Sequence, residues 1–140
     1  MKKYNKKTIT GMIERGITES GYSIYVKEDD YPYGILGTGE TVEEAKQDFL
    51  AGYQEMKECV LDMGKEFIEV GIVFRYDIPS FLEAYAYAFT LAGLERITGI
   101  NQKQLGHYIS GYRKPSEKTV RKIDERIHAF AEELSSVRFI

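Results

Sequence analysis

The sequence predicts an α+β chain in two parts: a β-β-β-α-β domain over residues 1–78 and an all-α domain over residues 79–140. Three observations carry this. Short apolar runs rich in β-branched and aromatic residues fall before residue 40 and again at 67–76. Every periodic stretch after Pro79 instead repeats at three and four residues, as helices do. Charge also changes sign between the parts: residues 1–78 hold 10 basic and 15 acidic side chains (net −5), and residues 79–140 hold 9 and 7 (net +2).

Residues 8–14 (TITGMIE) and 22–28 (YSIYVKE) are the first two strands, and Glu19-Ser20-Gly21 between them is turn chemistry, so they form a hairpin. After Asp29-Asp30-Tyr31-Pro32 comes a third run, Tyr33 to Gly39. Its glycines predict an irregular or bulged strand, and Pro32 predicts an edge or a loop. Thr41 and Glu44 have capping-box spacing, and from them Val42, Ala45, Phe49, Tyr53, Met56, Val60 and Met63 mark one helical face that ends at Gly64. A helix with one apolar face needs a sheet to lie on, and a fourth strand, Phe67 to Tyr76, completes it. The single Cys59 lacks a disulfide partner or metal-site companions and reads as a buried helix residue.

Pro79 marks the boundary, because it cannot continue a ladder and suits a helix start. Ser80 and Glu83 form a second capping box, opening a helix through Phe89. Thr90 caps a short helix with Leu91, Leu94 and Ile97, Gly99 supplies the turn, and Asn101 caps a second helix with Gln104 at capping-box spacing. Leu105, Tyr108 and Ile109 give that helix its apolar face. Pro115-Ser116 opens the last helix, with the stripe Val120, Ile123, Ile127, Phe130 and Leu134. Four helices, the middle pair joined by a glycine turn, make a helix-turn-helix of the repressor type.

In such a unit Gln102, Lys103, Gly106 and His107 project together from the second helix, where base edges are read. Arg113 and Lys114 stand in the following loop as phosphate contacts. Ser116 caps a helix whose N-terminal N–H groups suit the same role. Between residues 96 and 122, Arg96, Lys103, Arg113, Lys114, Lys118, Arg121 and Lys122 face only Glu117, a local basic patch inside a chain of net charge −3.

Other classes find less support. No apolar run approaches the roughly 20 residues a membrane span requires, and MKKYNKK leads into no signal-type apolar core, so a cytoplasmic protein is expected, with no membrane partner. Glu14, Glu28, Asp29 and Asp30 cluster about a hairpin without a further acidic motif, Gly34, Gly37 and Gly39 lack the lysine of a phosphate loop, and neither His107 nor His128 has a nucleophile beside it. No catalytic residue, metal or cofactor is implied. A one-component repressor whose N-terminal domain senses a small ligand stays open as a second reading.

The chain resembles the HicB antitoxin family at both ends. Glu19-Ser20-Gly21-Tyr22-Ser23-Ile24-Tyr25-Val26 is similar to the family's entry into its second strand. Gly34-Ile35-Leu36-Gly37-Thr38-Gly39-Glu40-Thr41-Val42-Glu43-Glu44-Ala45 is similar to its passage from a glycine-rich strand into the helix. Leu91 to Ser116 looks like the helix-turn-helix that many members carry, although Glu95 stands where a small residue is common. The resemblance implies a truncated RNase H-like N-terminal domain that binds a HicA-type mRNA interferase toxin. It also implies autoregulation through operator DNA, as a homodimer or higher homo-oligomer. Toxin contacts would then fall at Tyr25, Glu28, Asp29, Asp30 and Tyr31. For pairing of protomers, the strand at 67–76 and the last helix are the candidates.

Overall fold

The computed structural model describes residues 3–15 and 20–140; of the hairpin turn, Glu19 lies outside the described residues. Strands β1 (Thr8–Arg15), β2 (Tyr22–Val26) and β3 (Leu36–Gly39) precede helix α1 (Val42–Asp62), and β4 (Gly71–Tyr76) follows it. The four strands form one mixed sheet in the order β3-β2-β1-β4. The first three are mutually antiparallel, whereas β4 runs parallel to β1. That parallel pairing follows from the connection, because α1 carries the chain back across the sheet before β4 begins.

Ile9, Ile13 and Ile24 on one sheet face are fully buried against Ala45 and Phe49 of α1. Strand β3 contributes Gly37 here. A Cβ on Gly37 would stand 2.4–2.6 Å from the Ala45 carbonyl oxygen and from Phe49, so the helix rests directly on strand backbone. The glycines of this strand therefore make room for a helix instead of producing a bulge. Thr41 accepts the Glu44 N–H at 3.1 Å, and the Glu44 carboxylate reaches back to the Glu40 N–H at 2.9 Å. Beyond Phe49 the buried stripe thins to Val60 alone, leaving Cys59 exposed, not buried as its sequence suggests, and Met63 exposed as well.

The expected strand from Phe67 begins four residues late, and tyrosine hydroxyls explain the delay. Tyr31 donates to the Ile68 carbonyl (3.0 Å), Tyr33 accepts from the Ile68 N–H (3.1 Å), and the Tyr53 hydroxyl lies 3.1 Å from the Val70 N–H that it accepts and 3.3 Å from the Val70 carbonyl. The backbone of Ile68 and Val70 is satisfied by side chains before any ladder starts. Residues 33–35 stay outside β3 for a related reason: the Tyr33 ring packs on Phe67 at 4.8 Å and edge-on to Tyr31 at 5.2 Å.

A second unit begins at Ile78. It holds α2 (Ile78–Ala84), α3 (Leu91–Thr98), α4 (Gln102–Ser110) and α5 (Glu117–Ser135) around Leu82, Leu94, Leu105 and Tyr108. Helix α2 starts two residues before Ser80, so Ser80 is a buried interior residue and not a cap. The helix also stops at Ala84 instead of Phe89. There Ala86 N–H bonds to the Glu83 carbonyl and Ala88 N–H to the Tyr85 carbonyl, the tighter three-residue pattern that ends an α-helix.

Candidate nucleic-acid interface

Helices α3 and α4 are joined by a turn that three local devices hold. Gly99 adopts φ 75°, the left-handed conformation a helix end favours in glycine, and its N–H closes on the Glu95 carbonyl. Thr98, fully buried, donates to the Leu94 carbonyl at 2.7 Å and accepts the Ile100 N–H at 3.1 Å. Asn101 then caps α4 through the Lys103 N–H at 2.8 Å. The expected box with Gln104 does not close, since the Gln104 amide donates to the Tyr108 hydroxyl at 3.0 Å.

Glu95 takes the vacant capping role. Its carboxylate accepts the Gln102 N–H at 3.1 Å, seven residues along the chain. A carboxylate at this end of α4 occupies a donor that a phosphate could otherwise use, and its charge opposes an approaching anion.

Leu105 and Tyr108 anchor α4 in the core, which turns Gln102, Lys103, Gly106 and His107 to the opposite side. Gln102 and Lys103 are exposed, and Gly106 and His107 are half-buried. A Cβ on Gly106 would meet no atom within 4 Å, so nothing inside the fold requires glycine there. His107 is held more firmly than a free surface histidine. Its ring centroid lies 4.9 Å from that of Tyr112, and its Nδ1 is enclosed without a hydrogen-bond partner among the described residues. A base contact from His107 must therefore use the other edge of the ring.

The loop after α4 folds back onto it. Gly111 (φ 79°) reverses the chain, the Tyr112 N–H reaches the Ser110 hydroxyl at 3.4 Å, and the Arg113 N–H bonds the His107 carbonyl at 3.2 Å. This brings exposed Arg113 and Lys114 beside the last turn of α4. Ser116 spends its hydroxyl on capping α5 through the Thr119 N–H at 3.2 Å. Among the described residues, none of Arg96, Lys103, Arg113, Lys114, Lys118, Arg121 and Lys122 lies within ion-pair distance of a carboxylate. No carboxylate thus neutralises these cations, the state that counterion exchange with a polyanion requires.

No family model, no curated protein and no solved structure matches the chain.

Three residues outside the sequence-derived set belong to this surface. Ser110 falls one turn beyond Gly106 and His107, and Glu95 caps α4 from another helix. Tyr112, 72% exposed, stands between His107 and Arg113, whose guanidinium carbon is 6.0 Å from the Tyr112 ring centre. Spacing along α4 could have found Ser110. An exposed tyrosine beside Arg-Lys was a visible signal for Tyr112, but the capping by Glu95 needs three-dimensional knowledge.

In the N-terminal unit the residues singled out for protein contact separate. Tyr31 is buried, with its ring between Tyr4 and Tyr33, so it is removed from any contact surface. Glu28 is half-buried and internally committed: both carboxylate oxygens accept the Thr10 N–H, at 2.7 and 2.8 Å, extending the β1–β2 pairing by a side chain. Burial pushes its carboxyl up, but the Thr10 bonds, with Lys6 nearby, outweigh this and hold it below the ordinary value. Asp29 and Asp30 are exposed, with Lys6 3.7 Å from Asp30. Tyr25 lies on the sheet face away from α1 and donates to Glu14 at 2.8 Å; burial first, then that bond, raises its hydroxyl to about 12.

On this face Leu36, Tyr25, Met12 and Arg75 are neighbours in one row across β3, β2, β1 and β4, and Leu36, Tyr25 and Val73 are exposed. Among the described residues no group of three or more His, Cys, Asp or Glu side chains is arranged to share a metal ion, and no helix is long and apolar enough to cross a membrane.

Proposed function

We propose that the chain is a HicB-like antitoxin. Its C-terminal unit reads operator DNA as a helix-turn-helix, and its N-terminal unit, a partial RNase H-like fold, binds a small basic ribonuclease toxin of the HicA type. The observation that carries the DNA-binding half is the exposed pair Gln102 and Lys103 on α4 with exposed Arg113 and Lys114 in the loop after it, three cations of which none lies within ion-pair distance of a carboxylate among the described residues. Here α4 is the recognition helix. Gln102 reads an adenine edge, Lys103 a guanine or phosphate, and Arg113 and Lys114 clamp phosphates.

For the toxin-binding half, support comes from the net −5 of residues 1–78 and from a sheet face with exposed Leu36, Tyr25 and Val73. A surface that must occlude the RNA-binding side of a basic nuclease gains from negative charge, and an uncovered apolar row supplies the area. Tyr25, Asp29 and Asp30 are the contact candidates left after Glu28 and Tyr31 are assigned to the fold.

A titration and a co-purification test the reading. Fluorescence anisotropy with DNA from upstream of the chain's own gene should give salt-dependent, sequence-selective binding; salt-independent or absent binding rejects the first half. Co-purification with the product of a neighbouring small basic gene should give a stoichiometric complex without ribonuclease activity. Its failure, together with DNA release by a small ligand, would favour the ligand-sensing repressor instead.

A further inference from the structure

We propose that Tyr112 positions His107 as a donor-only base reader and that the base it reads is guanine; this deepens the reading of α4 as a recognition helix and rests on it. The chain after α4 folds back onto His107. The His107 carbonyl accepts both the Ser110 hydroxyl and the Arg113 N–H, each at 3.2 Å, and the Tyr112 N–H in turn reaches the Ser110 hydroxyl at 3.4 Å. Gly111, at φ 79°, permits the reversal. Tyr112 is thereby laid against the imidazole with ring centres 4.9 Å apart, and among the described residues it packs on no other ring and its hydroxyl has no hydrogen-bond partner. Of the two imidazole nitrogens, Nδ1 is enclosed, whereas Nε2 is open to solvent and equally without a partner among the described residues.

The enclosed nitrogen decides the polarity of the open one. A neutral imidazole carries one ring proton, and a buried N–H without an acceptor is a rarer orphan than a bare acceptor. No acceptor meets Nδ1 of His107 among the described residues, so the proton belongs on Nε2. His128 shows the opposite case: its Nδ1 stands 2.7 Å from the Asp124 carbonyl oxygen, which can only accept, and Nδ1 therefore donates. His107 offers DNA a donor and no acceptor. Such a reader is refused by the amino groups of cytosine and adenine and is best matched by guanine, whose major-groove edge carries N7 and O6 acceptors and no donor. Lys103, one turn earlier on the same side, is likewise a donor only. The four residues between them rise ~6 Å along α4, close to two base-pair steps of ~3.4 Å, so the two side chains address acceptor edges about two steps apart.

The experiment has one arm without DNA and one with it. Nitrogen-15 spectra of the full chain at about pH 8, above the imidazole range, with His107→Ala identifying the resonances, should show His107 pyrrole-like at Nε2 and pyridine-like at Nδ1; the reverse overturns the proposal. In the second arm the wild type selects from random-sequence duplexes, and the duplex it enriches is remade with 7-deazaguanine at each guanine in turn. At one guanine, loss of N7 should weaken binding about three- to tenfold. Tyr112→Ala should lose a similar factor on the unmodified duplex, become indifferent to that 7-deazaguanine, and show a lower ratio of selected to unselected affinity, while Tyr112→Phe, which keeps the ring, should restore all three. In the His107→Ala background Tyr112→Ala should cost nothing further, because it acts through the imidazole. Circular dichroism melts show that each variant folds. If the wild type enriches no sequence, the DNA-binding reading falls and this proposal with it. An enriched duplex indifferent to 7-deazaguanine at every guanine, or a Tyr112→Ala penalty that persists without His107, overturns the proposal alone.

Discussion

The Glu95 carboxylate accepts the Gln102 N–H at 3.1 Å, so the helix proposed to enter DNA carries an anion at its leading end. Replacing it separates folding from binding. Glu95→Gln removes the charge but leaves an acceptor, and should cost about 0.5–1 kcal/mol of stability, within the usual range for a helix cap. DNA affinity should rise severalfold at low salt, because a repulsive neighbour of the phosphate backbone is gone. Thermal melts and anisotropy measure both; a folded variant with unchanged or weaker affinity removes Glu95 from the interface.

Arg113 and Lys114 stand beside the end of α4 without an ion-pair partner among the described residues, and their loss should weaken binding to all sequences alike. The double alanine variant should lose operator retention in a gel shift. Its plot of log affinity against log salt should flatten by about two phosphate contacts. Wild-type retention would sink the phosphate assignment.

Gly106 lies in open space, so Gly106→Ala meets no clash and should stabilise the C-terminal unit by about 0.5–1 kcal/mol. If the helix approaches the duplex closely at this point, the same methyl should reduce operator affinity. A more stable protein that binds DNA as before would assign Gly106 no part in recognition.

Glu28 sets an acid limit on the N-terminal unit. Its folded value lies below the ordinary 4.5, so its contribution is complete above that pH and fades as pH falls through the folded value. Glu28→Gln should lower stability at neutral pH and flatten the decline of stability below about pH 4.5. Chemical denaturation at pH 7 and through the acid range reads both. A variant with the wild-type acid slope would show that other carboxylates govern this limb.

What could be read from the sequence was what neighbouring residues decide among themselves. Helix α1 follows from the Thr41 cap and the Ala45–Phe49 stripe, and α3 and α4 follow from Thr90, Gly99 and Asn101, all local signals. The misses have distant causes. Phe67–Val70 has strand composition, but hydroxyls from tyrosines 17 to 37 residues earlier take its bonds. Gly37 looks like a strand defect until α1 is seen resting on it, and Glu28 and Tyr31 look like contact residues until Thr10 and Ile68 claim them. The exposed side of α4 was legible because helical spacing alone fixes it, whereas the acid at its tip comes from a different helix.

The tyrosine bonds to Ile68 and Val70 bear on how the sheet ends. Strand β4 lies at an edge, and an edge strand offers its spare donors and acceptors to any incoming chain. Because side chains already occupy the backbone groups of Ile68 and Val70, a foreign strand gains little by extending past Gly71. Three aromatic hydroxyls thereby shorten the template for unwanted sheet growth to the six residues of β4 itself, without proline or a row of lysines.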